Sequence, residues 1–326
     1  MALHLNPNAV IECVPNFSEG TDEAKVAAIV AAMRVEGVRL LDWSLDGAHN
    51  RSVVTIAGPP EGVLESAVRG VARAAELIDL TRQKGEHPRI GAADVVPFVP
   101  VSGASLAECA MLARQAGMEI WRRAGVPVYF YEAAAARPDR VKLEDVRRGQ
   151  FEGLLETAHR DAARRPDVGG PEIHPTAGAS AVGARSFLIA YNIYLEVPRS
   201  SARMGGELPQ AAQAEIAAAR AIARAIRASA GGLHGVKAIG VSVNGRAQVS
   251  MNITDFRATP MAQIHSAVGE LARNHGAVLA EGEIIGLIPQ EAYDATAEWL
   301  RRVANFDPEA KVLERRLEHP MAWPAG

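Results

Sequence analysis

Cysteine is nearly missing from this chain, with Cys13 and Cys109 the only two in 326 residues. They stand far apart and in no metal-ligand spacing, which argues against a disulfide scaffold or a structural zinc site; no metal is expected, and both read as buried, reduced thiols. Aromatics make up only 5% of the chain, and neither expected sheet shows the aromatic motif with which sheet proteins stack RNA bases. Lysine is scarce, at five against thirty arginines, and the net charge of −3 gives no overall attraction to nucleic acid. No run is long and apolar enough to span a membrane, and residues 1–9 lack the basic stretch and apolar core of a signal peptide. What is present is globular composition, 48% hydrophobic and 22% charged. A cytoplasmic enzyme fits these exclusions. The length exceeds what one hydrophobic core usually serves, so two domains are expected.

The chemistry is densest in Arg82-Gln83-Lys84-Gly85-Glu86-His87-Pro88-Arg89-Ile90-Gly91. Histidine titrates near neutral pH, at about 6.5 in isolation, and so can both take and give a proton. Pro88 biases His87 toward extended backbone, and Gly85 and Gly91 permit sharp turns that expose it. Lys84 and Arg89 flank it with positive charge, and the Arg89 fork suits a carboxylate. An ordinary polar turn uses the same residue types; the crowding of a base, an acid and cations between helix breakers is what points to a catalytic loop.

In chain order, residues 9–15 alternate as a strand and run into Asn16-Phe17-Ser18-Glu19-Gly20, after which Thr21 is expected to cap a helix to about Arg34. That turn reads either as an anion-facing edge of free N–H groups or as a plain strand-to-helix connection. Residues 38–44 and 51–57 are strands joined by a hairpin signal, Asp46-Gly47, with His49, Asn50 and Arg51 at its end either functional or satisfying the turn. A helix over 61–78, a strand over 95–101 placed at an edge by Pro97 and Pro100, a helix over 106–124 and a strand over 126–131 follow. Helical pieces around 143–149 and 151–163 lead into a Gly- and Pro-rich loop over 166–185, read as ligand-binding in preference to a connector. It is not a phosphate loop, since Ala184-Arg185 stands where Lys and Ser or Thr would be needed. The second half repeats the pattern: strand 187–195, helix 200–229, hairpin strands 237–243 and 247–253 about Asn244-Gly245, helix 260–275 and strand 277–288, then a helix over 290–303. The arginine pairs at 122–123, 147–148, 164–165 and 301–302 read as solvated faces. The fold class expected is α+β, two ferredoxin-like βαββαβ subdomains, 1–184 and 185–326, with antiparallel sheets facing a central groove.

The ordered landmarks Glu12-Cys13-Val14-Pro15-Asn16-Phe17-Ser18-Glu19-Gly20, Asn50-Arg51, Gly58-Pro59-Pro60, Lys84-Gly85-Glu86-His87-Pro88-Arg89, Gly178-Ala179, Gly183-Ala184-Arg185 and Gly286-Leu287-Ile288-Pro289 resemble the formiminotransferase family over nearly the whole chain. The resemblance implies transfer of the formimino group from N-formimino-L-glutamate to N5 of tetrahydrofolate, the co-substrate, in histidine breakdown. It places the catalytic histidine on His87 and a folate-binding segment on Gly169-Gly170-Pro171-Glu172-Ile173-His174-Pro175-Thr176-Ala177-Gly178. It also implies a homodimer, and a separate protein for the cyclodeaminase step that animal members carry as a fused helical domain. Gln83 stands where animal members have a second histidine, and Ala177 replaces a tryptophan of the folate segment, with His174 a candidate to compensate.

The reaction can also be argued from its atoms. N5 attacks the amidine carbon, and the tetrahedral adduct collapses only when the glutamate nitrogen receives a proton; His87 is the candidate to move it. No Ser or Cys nucleophile is required. Both substrates carry carboxylates, so Lys84, Arg89, Arg51 and Arg185 are candidate anchors, Arg51 and Arg185 equally open to structural ion pairing. Formyl transfer, folate binding without turnover, and RNA binding by an arginine-rich sheet are the competing readings.

Overall fold

The computed structural model describes residues 5–85, 88–196, 208–300, 303 and 306–325, with backbone alone over 208–212. The expectations on Glu86, His87, the start of the 200–229 helix and the Arg301-Arg302 pair lie outside these residues. The chain forms two compact units, one up to Ser186 joined by the segment from Pro320 on, the other Phe187–His319.

In the first unit, β1 (Val10–Cys13) and β2 (Asn16–Phe17) lie end to end, followed by α1 (Glu23–Ala32), β3 (Arg39–Asp46), β4 (Arg51–Gly58), α2 (Pro60–Leu77) and β5 (Ala93–Ser102). Then come α3 (Leu106–Ala124), β6 (Val128–Glu132), the short α4 (Leu143–Val146) and α5 (Gln150–Thr157), and β7 (Ser180–Ala184). Local chemistry sets the helix ends. Asp22, and not Thr21, caps α1 by accepting from Lys25 N, and a proline opens α2. Ser105 and Glu108 form a reciprocal capping box on α3, which stops at Gly125 in the left-handed region.

The sheet order is β3, β4, the β1–β2 pair, β5, β7, β6. Pairing is antiparallel as far as β5, whereas β7 runs parallel to both β5 and β6, so this sheet is mixed and not antiparallel as expected. Helix α3 is a crossover that returns the chain parallel to β5, and β7 fills the place between the two. The strand is made of small residues, Ser-Ala-Val-Gly-Ala, all buried, which is why the sequence read as loop. At Gly183 a Cβ would stand 2.5 Å from the Tyr131 ring. Nor is β5 an edge strand. Proline removes a donor but keeps its carbonyl, and Pro97 O accepts Val14 N at 3.2 Å while Pro100 sits opposite Ile11 beside a register shift. Residues of the chain end return to this unit, where Met321 N donates to Leu40 O at 2.8 Å.

The second unit comprises β8 (Ile189–Glu196), α6 (Leu208–Ile226), β9 (Val236–Val243), β10 (Arg246–Ile253), α7 (Met261–Asn274) and β11 (Val278–Ile285). Its sheet, ordered β11, β8, β10, β9, is antiparallel throughout, and Asn244 and Gly245 turn the hairpin with φ of 50° and 78°. Tyr191, Ile193 and Leu195 alternate into a core with Ile222, Ile264 and Val268. On the other face the Asn192 and Gln248 amides both donate to Glu283, at 3.1 and 3.0 Å. The helix expected over 290–303 is two short pieces, Gln290–Asp294 and Ala297–Leu300. No helix among the described residues is long and apolar enough to cross a membrane.

Candidate functional site

Three loops of the first unit converge on the segment that follows α2. Asn50, which closes the β3–β4 turn with φ of 49°, uses both ends of its amide. Its Oδ1 accepts Gly20 N at 2.9 Å and its Nδ2 donates to Lys84 O at 2.8 Å. The loops touch through glycines: a Cβ at Gly20 would lie 2.3 Å from Asp46 O, and one at Gly85 2.4 Å from His49 O. The turn after β2 is therefore not a free anion edge. Asn50 takes Gly20 N, and the Glu19 carboxylate takes Thr21 N and Asp22 N at 3.0 and 3.1 Å.

The far limb of the 78–92 segment is fixed as firmly. Ser18 N donates to Ala92 O at 2.9 Å and Ser18 Oγ to Gly91 O at 2.7 Å, Ile90 N donates to Asp94 Oδ1 at 2.8 Å, and Phe151 N donates to Arg89 O at 2.9 Å. Arg89 Nη2 reaches Gln83 O at 2.9 Å, Leu80 O at 3.3 Å and Glu152 Oε1 at 3.0 Å. This guanidinium ties the base of the segment together. Lys84 is exposed. Glu86 and His87, which follow Gly85 in the sequence, are outside the described residues.

The segment Gly169 to Gly178 runs alongside. Leu80 N donates to Thr176 O at 2.9 Å, Ala92 N to Ala177 O at 2.8 Å, and Ala179 N to Ile90 O at 2.9 Å. The backbones come so close that a Cβ at Gly91 would lie 2.1 Å from Ala179 O, and one at Gly178 2.1 Å from Ile90 O. Ile173 and Ala177 are buried in the core, at 5% and 1% exposure, while Gly170, Pro171, Glu172 and Pro175 face solvent. Gly169 lies against the Trp121 ring. Nδ1 of His174 accepts Ala177 N at 2.9 Å and Thr176 N at 3.3 Å, so the neutral ring carries its proton on Nε2. Burial lowers the pKa of this histidine.

Charge is concentrated beneath the loops. Arg51 donates to Asn16 Oδ1, and Arg147 is paired with the buried Asp94. Burial, and next the charge of Arg147, pull the Arg51 guanidinium down to about 9, so it remains cationic at neutral pH. The His49 ring is held by Asp46 at 2.7 Å. Burial opposes the charge of that carboxylate, but bonds from the His49 ring and from the His49 and Ala48 N–H groups outweigh it and keep Asp46 below its usual range. Arg185 N donates to Phe98 O at 3.1 Å, and its Nη1 to Ser186 O at 2.9 Å.

Arg147, Asp94 and Asp46 are the site residues that sequence reasoning passed over. The pair Arg147-Arg148 reads as a solvated face, yet adjacent residues of a helical turn point about 100° apart. Arg148 is 76% exposed and pairs with Asp145, whereas Arg147 is 13% exposed and turns inward. An aspartate at the start of an otherwise apolar strand was the available signal for its partner.

Residues 10–185 match the family model described as formiminotransferase domain, N-terminal subdomain, and residues 203–314 match that of the formiminotransferase domain. The chain is 41% identical to a glutamate formimidoyltransferase of Streptococcus pyogenes serotype M1, covering 94% of this chain and 98% of the relative. It is 39% identical to the protein of the same name from Thermoplasma acidophilum, covering 95% and 98%. A formimidoyltransferase-cyclodeaminase of Mus musculus is 36% identical over 94% of this chain and 59% of its own length.

Proposed function

The chain belongs to the formiminotransferase family, and on that premise we propose that it transfers the formimino group from N-formimino-L-glutamate to N5 of tetrahydrofolate, releasing L-glutamate. Its activity as a transferase follows from relatives that share almost its full length and carry that name. The observation that carries the reading is the ordered match of both subdomain models along one chain.

In the proposed reaction N5 of the reduced pterin attacks the amidine carbon, and the C–N bond to glutamate breaks as that nitrogen is protonated. His87 takes the proton from N5 and returns it to the leaving amine, a step worth roughly 10²–10⁴-fold. The reading is supported by the way Asn50, Asp94 and Arg89 brace both limbs of the segment that carries His87. The exposed part of the Gly169 to Gly178 segment and His174 are assigned to folate contact, and Lys84, with Arg51 beneath, to substrate carboxylates. Arg89 is assigned to holding the loop. Each unit is read as ferredoxin-like, on the order β3, β4, β1–β2, β5 in the first and β11, β8, β10, β9 in the second. A homodimer, a cytoplasmic location and a separate cyclodeaminase acting on the product complete the proposal.

The test supplies purified protein with tetrahydrofolate and either N-formimino- or N-formyl-L-glutamate. Glutamate release with formation of 5-formiminotetrahydrofolate is expected from the first donor. Turnover of the formyl donor alone moves the assignment to formyl transfer, and folate binding without glutamate release removes the catalytic reading. A complex with reduced folate also tests the groove expected from the sequence.

A further inference from the structure

We propose that Glu283 and Asn192, set by Gln248 on the sheet of the second unit, form a subsite for a planar ligand group that presents adjacent N–H donors. On the transferase reading such groups are the amidine of the formimino donor and the 2-amino-4-oxo edge of the reduced pterin. Naming them as the ligand rests on that reading; the demand for donors rests on geometry.

The three side chains come from three neighbouring strands, Glu283 from β11, Asn192 from β8 between them and Gln248 from β10. Glu283 stands opposite Asn192 in the pairing of β11 with β8, and Gln248 is two positions from Ser250, which stands opposite Asn192 on the other side. Their sequence neighbours Ile284, Tyr191, Ile193, Ala247 and Val249 all enter the core with α6 and α7, so these three side chains share the other face. Glu283 Oε1 accepts Asn192 Nδ2 at 3.1 Å and Gln248 Nε2 at 3.0 Å. Two donors fill that oxygen.

The carboxylate is half-buried, yet it takes part in no ion pair among the described residues. Carboxylates withdrawn from water are ordinarily paired with a cation. Arg246, on the same face of β10, is taken instead by Glu281 and lies 4.3 Å from the centre of the Tyr194 ring. Glu283 Oε2 and Asn192 Oδ1 accept from no donor among the described residues, and neither atom is sealed from solvent. Gln248 shows the same shortage from inside. It is 1% exposed, its Nε2 is committed to Glu283, and its Oε1 is buried without a donor. That oxygen is out of a ligand's reach, but leaving it unmet costs about 1–3 kcal/mol. The cluster is thus fixed with both amides turned to Glu283 and with two oxygens, Glu283 Oε2 and Asn192 Oδ1, left to a ligand. A ligand that supplies N–H groups satisfies them, and the charge on Glu283 strengthens those bonds. The formimino group ends in an amidine, a planar cation at neutral pH with N–H groups on both nitrogens. The pterin edge places N3–H beside the 2-amino group.

The experiment uses the full-length chain with Glu283→Gln, which keeps an oxygen for the two amides but removes the charge and turns an NH2 group toward the ligand. Melting temperature, kcat and KM for each substrate are measured beside wild type, with calorimetric binding of N-formimino-L-glutamate, N-formyl-L-glutamate and a reduced folate, each supplied alone. The expected result is a fold retained within a few degrees and a rise of about tenfold or more in KM and Kd for the formimino donor or for the reduced folate. N-formyl-L-glutamate, which carries oxygen in place of the amidine NH2, should change by less than about threefold. A rise confined to the formimino donor assigns the amidine, and one confined to the folate assigns the pterin edge. If Glu283→Gln does not fold, Asn192→Ser, which withdraws Oδ1, carries the same measurements. Folded variants with every constant within about twofold of wild type overturn the subsite, as does a rise of the same size for the formimino and formyl donors. Failure of the wild type to transfer a formimino group overturns the transferase reading instead. The binding arms then still decide the subsite, and a wild type that binds neither the formimino donor nor the folate overturns both.

Discussion

Asn50 holds Lys84 by its main-chain oxygen at 2.8 Å, and through the other end of the same amide it holds the backbone N–H of Gly20 at 2.9 Å. One side chain thus fixes the leading limb of the His87 loop to two other loops. Asn50→Ala removes two hydrogen bonds, each worth about 1 kcal/mol net, and places alanine at a φ of 49°, costing about 1 kcal/mol more. A loss of roughly 2–3 kcal/mol in urea unfolding is expected, with kcat lowered further than KM is raised. Asn50→Gly relieves the backbone cost alone, so a folded Asn50→Gly enzyme with normal kcat would show that the clamp does not serve turnover.

Gly178 makes the sharper test of packing. Its φ is 69° and a Cβ there would stand 2.1 Å from Ile90 O, a backbone atom that cannot move without dragging the loop. Gly178→Ala is expected to cost at least about 3 kcal/mol. Gly245 also has positive φ, at 78°, but open space around it, so Gly245→Ala is expected to cost only about 1–2 kcal/mol. Equal losses in chemical denaturation would mean that the contact between the two loops contributes nothing beyond backbone conformation.

His174 makes stability depend on pH. Its folded pKa is lowered by burial, and its Nδ1 is already an acceptor for two backbone N–H groups, so the folded state binds this proton less readily than the unfolded chain. The contribution is fully present above the unfolded value of about 6.5 and is lost as pH falls below it through the folded pKa. Unfolding free energies measured from pH 5 to 8 should rise across this window in the wild type and rise less in His174→Gln. Identical slopes would remove His174 as a source.

Arg89 and His87 should separate in kinetics. Arg89 gathers Gln83 O, Leu80 O and Glu152, so Arg89→Lys is expected to lower kcat by loosening the loop while leaving both KM values within about threefold. A large rise in KM with kcat unchanged would instead restore its role as a carboxylate anchor. His87→Ala is expected to reduce turnover by at least roughly a hundredfold with tetrahydrofolate binding still measurable by calorimetry; near-normal turnover would take the proton-transfer role away from His87.

Much of this molecule was determined by local sequence alone. Periodicity, capping residues and turn pairs such as Asn244-Gly245 mark most helices and strands of both repeats, because those signals act within a few residues. The resemblance that names the family is legible for the same reason. Tertiary structure decided the rest. Strand β7 exists because a run of small residues fits between β5 and β6, and β5 tolerates two prolines in mid-sheet because its carbonyls still find donors. Whether an arginine is a solvated charge or part of a site depends on what faces it. Asp94 lies 53 residues from Arg147 in sequence, and only folding brings that carboxylate under the guanidinium.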